Sequence, residues 1–199
     1  GKCSVKDSFN KGSITNRNQL IEQLESAVGE AEIMSGKKIN SAYMSLTGDH
    51  IRCMNTQGAI ALNRNKTNGT IENNSIIQKD ITRVLELTQG IALPPDRDIL
   101  HTIPQEFIVD TLEKIDNPIG LSGRRLEGHV HLVTAATTAM KNLVESAEEI
   151  GININGLVFK PLAAATSTLT KDEIKLGVSL IDIGSTTTTV AIFNDGAVR

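Results

Sequence analysis

The chain has no tryptophan, one tyrosine and two cysteines in 199 residues. Aromatics amount to 3% of it, leaving few rings on which nucleobases could stack. Positive charge is also short: 20 Lys and Arg face 23 Asp and Glu, a net charge of −3, with no basic block. A nucleic-acid partner therefore has no electrostatic support. Cys3 and Cys53 are too few and too far apart for a disulfide framework or a thiolate metal site, and they read as reduced thiols of the cytoplasm. Apolar runs extend only a few residues, well below the roughly 20 that span a bilayer. No charged-then-apolar leader precedes residue 20, so no secretory signal is expected. The sequons Asn65-Lys66-Thr67 and Asn68-Gly69-Thr70 then read as a polar loop.

Enough apolar character remains, 39% of residues, to bury a sizeable core in one or two domains. Leu20, Ile21, Leu24, Val28, Ala31 and Met34 recur at helical spacing over 18–34. Asn16 or Asn18 is available as the N-cap, and Gly36 as the stop. Residues 41–47 alternate as a strand, Gly48-Asp49 turns the chain, and short strands are predicted near 51–55 and 58–63. The stretch 64–74 is a polar loop. Ser75-x-x-Gln78 looks like a capping box ahead of a helix that ends at Gly90. Strand-like runs at 98–103 and 106–110 are interrupted by Pro104, which belongs at an edge or bulge. His129 to Ala135 alternates again. Two strand–helix phrases closing on a long strand predict a small α+β subdomain between about 18 and 135.

From 136 the pattern is α/β. Met140, Leu143, Val144, Ala147 and Ile150 make an amphipathic helix ended by Gly151. A short buried strand, Gly156 to Phe159, precedes a helix with Pro161 in its first turn. Residues 181–193, Ile-Asp-Ile-Gly-Ser-Thr-Thr-Thr-Thr-Val-Ala-Ile-Phe, then read as a strand–turn–strand hairpin with Asp182 at the end of its first strand. Successive N–H groups in a tight turn form an anion-binding concavity, and glycine lets a phosphate come close to the backbone. Asp182 could hold Mg2+ through water. A threonine-rich hairpin with Asp182 capping its turn explains the same residues without any ligand. The chain opens at Gly1 and stops at Arg199, just after this hairpin, so it reads as a piece of a longer protein.

Three phrases resemble the FtsA family of bacterial cell-division proteins. They are Leu93-Pro94-Pro95-Asp96-Arg97-Asp98-Ile99-Leu100-His101-Thr102-Ile103-Pro104-Gln105-Glu106-Phe107, Asn117-Pro118-Ile119-Gly120-Leu121-Ser122-Gly123-Arg124-Arg125-Leu126-Glu127, and the strand His129-Val130-His131-Leu132-Val133-Thr134. Their order and their spacing to the hairpin match as well, over nearly the whole chain. The resemblance implies an α/β fold: part of an actin-like ATPase fold with a small inserted α+β subdomain. Residues 1–17 would end the first lobe, 18–135 would be the insertion, 136–173 would continue the first lobe, and 174–199 would start the second. It further implies a protein that binds ATP and Mg2+ and polymerises. Such a protein links the tubulin-like division protein FtsZ to the inner face of the cell membrane and recruits later division proteins. In that family the FtsZ surface, the adenine pocket and an amphipathic C-terminal membrane helix lie downstream, and the first phosphate loop lies upstream.

The nucleotide residues expected here are Asp182, Gly184, Ser185, Thr186 and Thr187, with Asp182 also on the metal. The family's usual phrase is Asp-Ile-Gly-Gly-Gly-Thr, so Ser185 and Thr186 replace two glycines and restrict the approach of the backbone. Thr189 stands where the family usually has a second aspartate. ATP binding with weak or no hydrolysis follows, and no residue is assigned as catalytic. Lys160 occupies a position where the wider superfamily often places a Gln or Glu; it would bind phosphate as a point charge, or simply snorkel from a strand end. His129 and His131 share one face of a strand, as two metal ligands or a polar outer face. Arg124 and Arg125 read as a partner contact or a solvated strand entry, as do Glu22, Glu25 and Glu30 on the first helix. His50 and His101 are given no role. The rival readings are a sugar kinase of the same superfamily, which lacks a substrate base here beyond Asp182, and a pilus-assembly relative.

Overall fold

A computed structural model describes residues 1–5, 7–62, 75–91, 93–184 and 187–199. The polar loop at 64–74, and with it both sequons, lies outside the described residues, as do Ser185 and Thr186. In chain order the elements are β1 (Phe9–Asn10), β2 (Ser13–Ile14), α1 (Arg17–Ser35), β3 (Ser41–Leu46), β4 (Arg52–Ala61) and α2 (Gln78–Thr88). They continue with β5 (Arg97–Val109), β6 (Leu112–Ile115), β7 (Arg125–Ala136), α3 (Thr137–Glu149) and β8 (Asn153–Phe159). The chain closes with α4 (Lys160–Thr168), α5 (Lys171–Leu176), β9 (Val178–Ile183), β10 (Thr188–Asn194) and β11 (Ala197–Val198).

Local chemistry sets most of these boundaries. The Asn16 side chain accepts from the Gln19 N–H at the start of α1, and Gly36 takes the left-handed conformation that ends it. The helix expected from Ser75 begins later. Asp80, not Gln78, reaches back to the N–H of Ile77, while Ser75 bridges Ser122 at the rim of a sheet. The short helix α5 starts on a reciprocal capping box formed by Thr170 and Glu173.

The largest sheet is antiparallel, in the order β4-β7-β5-β6. The two short strands expected near 51–63 are the single strand β4, running through Gly58. A Cβ there would come within 3.1 Å of Thr88 Cγ2 and 3.2 Å of Val84 O, so the missing side chain lets α2 lie close on the sheet. Between them, α2 and the sheet enclose Ile60, Leu62, Val84, Phe107, Val109 and Leu126. The runs on either side of Pro104 are likewise one strand. Its register against β7 shifts between Pro104 and Glu106, leaving Gln105 as a bulge residue at the place the proline suggested.

A second layer is built on parallel pairing of β3 with β8, from Ser41↔Asn153 to Leu46↔Phe159. Its core joins Leu20 of α1, Leu46 of β3 and Leu143 of α3 to Val133 and Ala135 at the far end of β7. Helix α1 and strand β3 thus belong with β8 and α3. Strand pairing sets β3 apart from the antiparallel sheet, which the chain enters at 47–51 and leaves at the end of β7, a separation that the local pattern of 41–46 does not announce. The reason is that a parallel partner more than a hundred residues away leaves no mark on the local pattern of 41–46. The third layer is the sheet β11-β10-β9, whose Ala191, Phe193 and Val198 pack against Ala165 of α4. Asp195 and Gly196, both at positive φ, make the two-residue turn between β10 and β11.

Candidate functional site

The three layers meet at a cleft of about 470 Å³, within the size class of small-ligand pockets. One wall is the link from β3 to β4, Thr47 to Ile51. The opposite wall is β10, Thr188 to Ile192, together with Thr187 before it. Cys53, His131, Phe159, Val198 and Arg199 complete the lining of the cleft.

The β3–β4 link is held from three sides. Gly48, at φ +151°, lies so close to the β1–β2 turn that a Cβ would sit 2.5 Å from Lys11 O and 2.7 Å from Gly12 Cα. The Asp49 N–H donates to Lys11 O at 3.1 Å. From the sheet side, the Arg97 guanidinium donates to His50 O at 2.8 Å and to Thr134 O at 3.0 Å. Arg52 donates to Ile51 O at 2.8 Å and to Asp49 O. The His50 ring lies among these cations with both nitrogens buried and without a hydrogen-bond partner among the described residues. Burial pulls its pKa below the ordinary 6.5, against the attraction of Asp49 and with the help of Arg97 and Arg52.

The hairpin forms the other wall. Opposite residues of an antiparallel pair place their side chains on one face, and the register sets Asp182 opposite Thr189. The Thr189 hydroxyl lies 3.5 Å from that of Thr47, across the cleft. Asp182 Oδ2 accepts from Lys160 Nζ at 2.7 Å, with the two side chains 23% and 39% exposed. Lys160 and Asp182, far apart in sequence, are therefore one ion pair. The Gly184 N–H donates to Thr187 O at 2.9 Å, closing the turn on itself, so this amide already has an acceptor. Thr187 lines the cleft.

Two residues without an assigned role hold this geometry. His101 Nε2 accepts from the Phe159 N–H at 2.9 Å, fixing the residue before Lys160, and burial lowers the His101 pKa, which keeps that nitrogen an acceptor. Gln105, aimed by its bulge, donates to Val198 O at 2.7 Å and to Asn55 Oδ1 at 3.3 Å. The bulge was legible at Pro104; the partner on β11 was not.

The histidine pair does not converge. His131 is buried, with Nδ1 2.7 Å from Asn55 Oδ1, and burial lowers its pKa. His129 lies between two carboxylates, 3.1 Å from Glu106 and 2.9 Å from Glu127, the latter also bound by Arg125. The Arg124 and Arg125 N–H groups donate to Asp110. Glu30 accepts from the Lys2 N–H, while Glu22 and Glu25 are exposed. Among the described residues, no three His, Cys, Asp or Glu side chains cluster as metal ligands. Asp182, the lone carboxylate of the hairpin, already carries an ammonium, whereas Mg2+ wants several oxygen ligands. The described residues thus do not fit a divalent ion at Asp182.

Residues 48–134 match the SHS2 domain inserted in FtsA, a span that opens at the β3–β4 link and closes with β7. Cell-division protein FtsA of Pseudomonas aeruginosa is 38% identical over 95% of this chain and 43% of its own length. FtsA of Escherichia coli K12 is 33% identical over 100% and 45%, and that of Borreliella burgdorferi 36% over 98% and 45%. The chain is FtsA-like along its whole length. It spans a little under half the length of these FtsA relatives. A solved PilM–PilN type IV pilus biogenesis complex contains a chain of the same fold. Its TM-score is 0.64 at 13% identity, over 98% of this chain and 50% of that one. The fold is the actin-like ATPase type with a small inserted α+β subdomain. The FtsA relatives, at 33–38% identity, are cell-division proteins by name, and likeness to the pilus complex extends to the fold alone. No described helix is long and apolar enough to cross a membrane.

Proposed function

We propose that this chain is part of a cell-division assembly protein that binds ATP in the cleft beneath the β9–β10 hairpin and polymerises. On this reading the whole protein links FtsZ filaments to the inner face of the cell membrane at the division site and recruits later division proteins through the inserted subdomain. The observation that carries it is the FtsA similarity running through both the insertion and the hairpin without a break. The cleft lends support from chemistry. Thr187 and Thr189 supply hydroxyl donors to phosphate oxygens, Lys160 cancels the charge of the hairpin's Asp182, and the β3–β4 link is braced on the opposite wall. A nucleotide touching both walls would favour the closed arrangement by its greater affinity for it, which biases assembly without requiring turnover.

The family's second hairpin aspartate is Thr189 here, so no described side chain stands ready to polarise an attacking water at that position. On this reading hydrolysis is slow or absent, and no described residue is assigned a catalytic role. Membrane attachment and the FtsZ tail contact belong to parts of the family's proteins outside this stretch. The test is co-sedimentation of the full-length protein with FtsZ filaments and lipid vesicles. The expected outcome is that FtsZ pellets with vesicles only when the protein is present. Failure to carry FtsZ to the vesicles would overturn the tether.

A further inference from the structure

We infer that the Lys160 ammonium is a built-in counter-ion for Asp182, taking the position a divalent cation would need, so that phosphate binding in this cleft is independent of Mg2+. The inference rests on the nucleotide reading above and deepens it. Lys160 is the first residue of α4, the positive end of the helix, where a cation is disfavoured by the aligned peptide dipoles. Its presence there is accounted for by the carboxylate 2.7 Å away. The contact is also positioned from behind: the Phe159 N–H is held by His101, and Pro161 fixes the first turn that follows. Across the hairpin, the residue facing Asp182 is Thr189, a neutral hydroxyl engaged with Thr47. One carboxylate and one ammonium sum to zero. The hairpin therefore carries no surplus negative charge for Mg2+ to neutralise, and none to repel phosphate.

The experiment is binding of a fluorescent ATP analogue to the full-length protein, in Mg2+ and in EDTA, for wild type, Lys160→Ala, Lys160→Arg and Asp182→Asn. Wild type is expected to bind equally in both buffers, and Lys160→Arg to follow it. Lys160→Ala is expected to lose about tenfold in affinity in EDTA and recover it with Mg2+, which can then reach Asp182. Wild-type binding that requires Mg2+, or a Lys160→Ala variant unaffected by EDTA, overturns the inference while leaving the nucleotide reading intact. Absence of binding by every variant in both buffers overturns the nucleotide reading and the inference together. Thermal melting of Lys160→Met, Asp182→Asn and the double variant gives a readout free of nucleotide. Losses that are not additive support the pair, and strictly additive losses overturn it.

Discussion

Lys160, Asp182 and His101 form a short chain of dependence around Phe159, a lining residue of the cleft. His101 accepts a backbone N–H only while neutral, and burial favours that form. His50 and His131 are shifted in the same direction by burial. Each of these folded-state pKa values lies below the ordinary 6.5, so the unfolded chain binds more protons than the folded one as the pH falls. The stability they contribute is complete above that ordinary value and is lost as pH drops through it toward the folded-state pKa. The thermal midpoint is therefore expected to fall between about pH 7 and about pH 5.5. His101→Gln, which keeps an acceptor but cannot titrate, should show a shallower fall. An unchanged slope in that variant would remove His101 from the account. Exposed carboxylates such as Glu173, held low by the Thr170 N–H and hydroxyl, act only at more acidic pH.

Elements meet here through residues whose importance lies in what they omit. Gly58 leaves room for α2 over β4, with Thr88 and Val84 already within 3.2 Å of where a Cβ would sit. Gly58→Ala is expected to push the helix off the sheet, at a cost of about 1–3 kcal/mol by chemical denaturation. A helical glycine with open space where its Cβ would sit, such as Gly29 in α1, should instead tolerate alanine or gain by about 0.5–1 kcal/mol. The contrast between the two positions is the check, since both read alike as isolated glycines within regular elements.

At the scale of the whole molecule, β7 ties two cores together. Leu126, at its start, is buried between α2 and the large sheet, while Val133 and Ala135, at its end, are buried against α1 and α3. Ile103 of β5 packs against both the second core and the core beneath the hairpin. Leu126→Ala is expected to cost about 2–5 kcal/mol, and the loss should not stay within the insertion. Hydrogen exchange should speed up along the whole of β7 and in α3, whose Leu143 shares a core with Val133 and Ala135, as one cooperative unit. Faster exchange confined to 125–130 would show that the insertion unfolds by itself.

Much of this was legible before any coordinate. Alternation and periodicity placed α1, α3, β3, β7 and the hairpin; Asn16, Gly36, Gly151 and Pro161 marked ends where a local side chain or backbone conformation decides them. Pro104 announced its bulge, and the ordered phrases from Leu93 to Thr134 pointed to the FtsA family. These signals lie within a few residues of what they specify, so the chain carries them by itself. Tertiary structure alone decided that β3 pairs with β8 instead of joining the antiparallel sheet, that Gln105 reaches Val198, and that the Gly184 amide is turned inward. It also decided that Asp182 faces an ammonium and not an open cation position. Each of those depends on which distant groups the folded layers press together, and a carboxylate's chemistry follows the charge beside it, which sequence spacing does not encode.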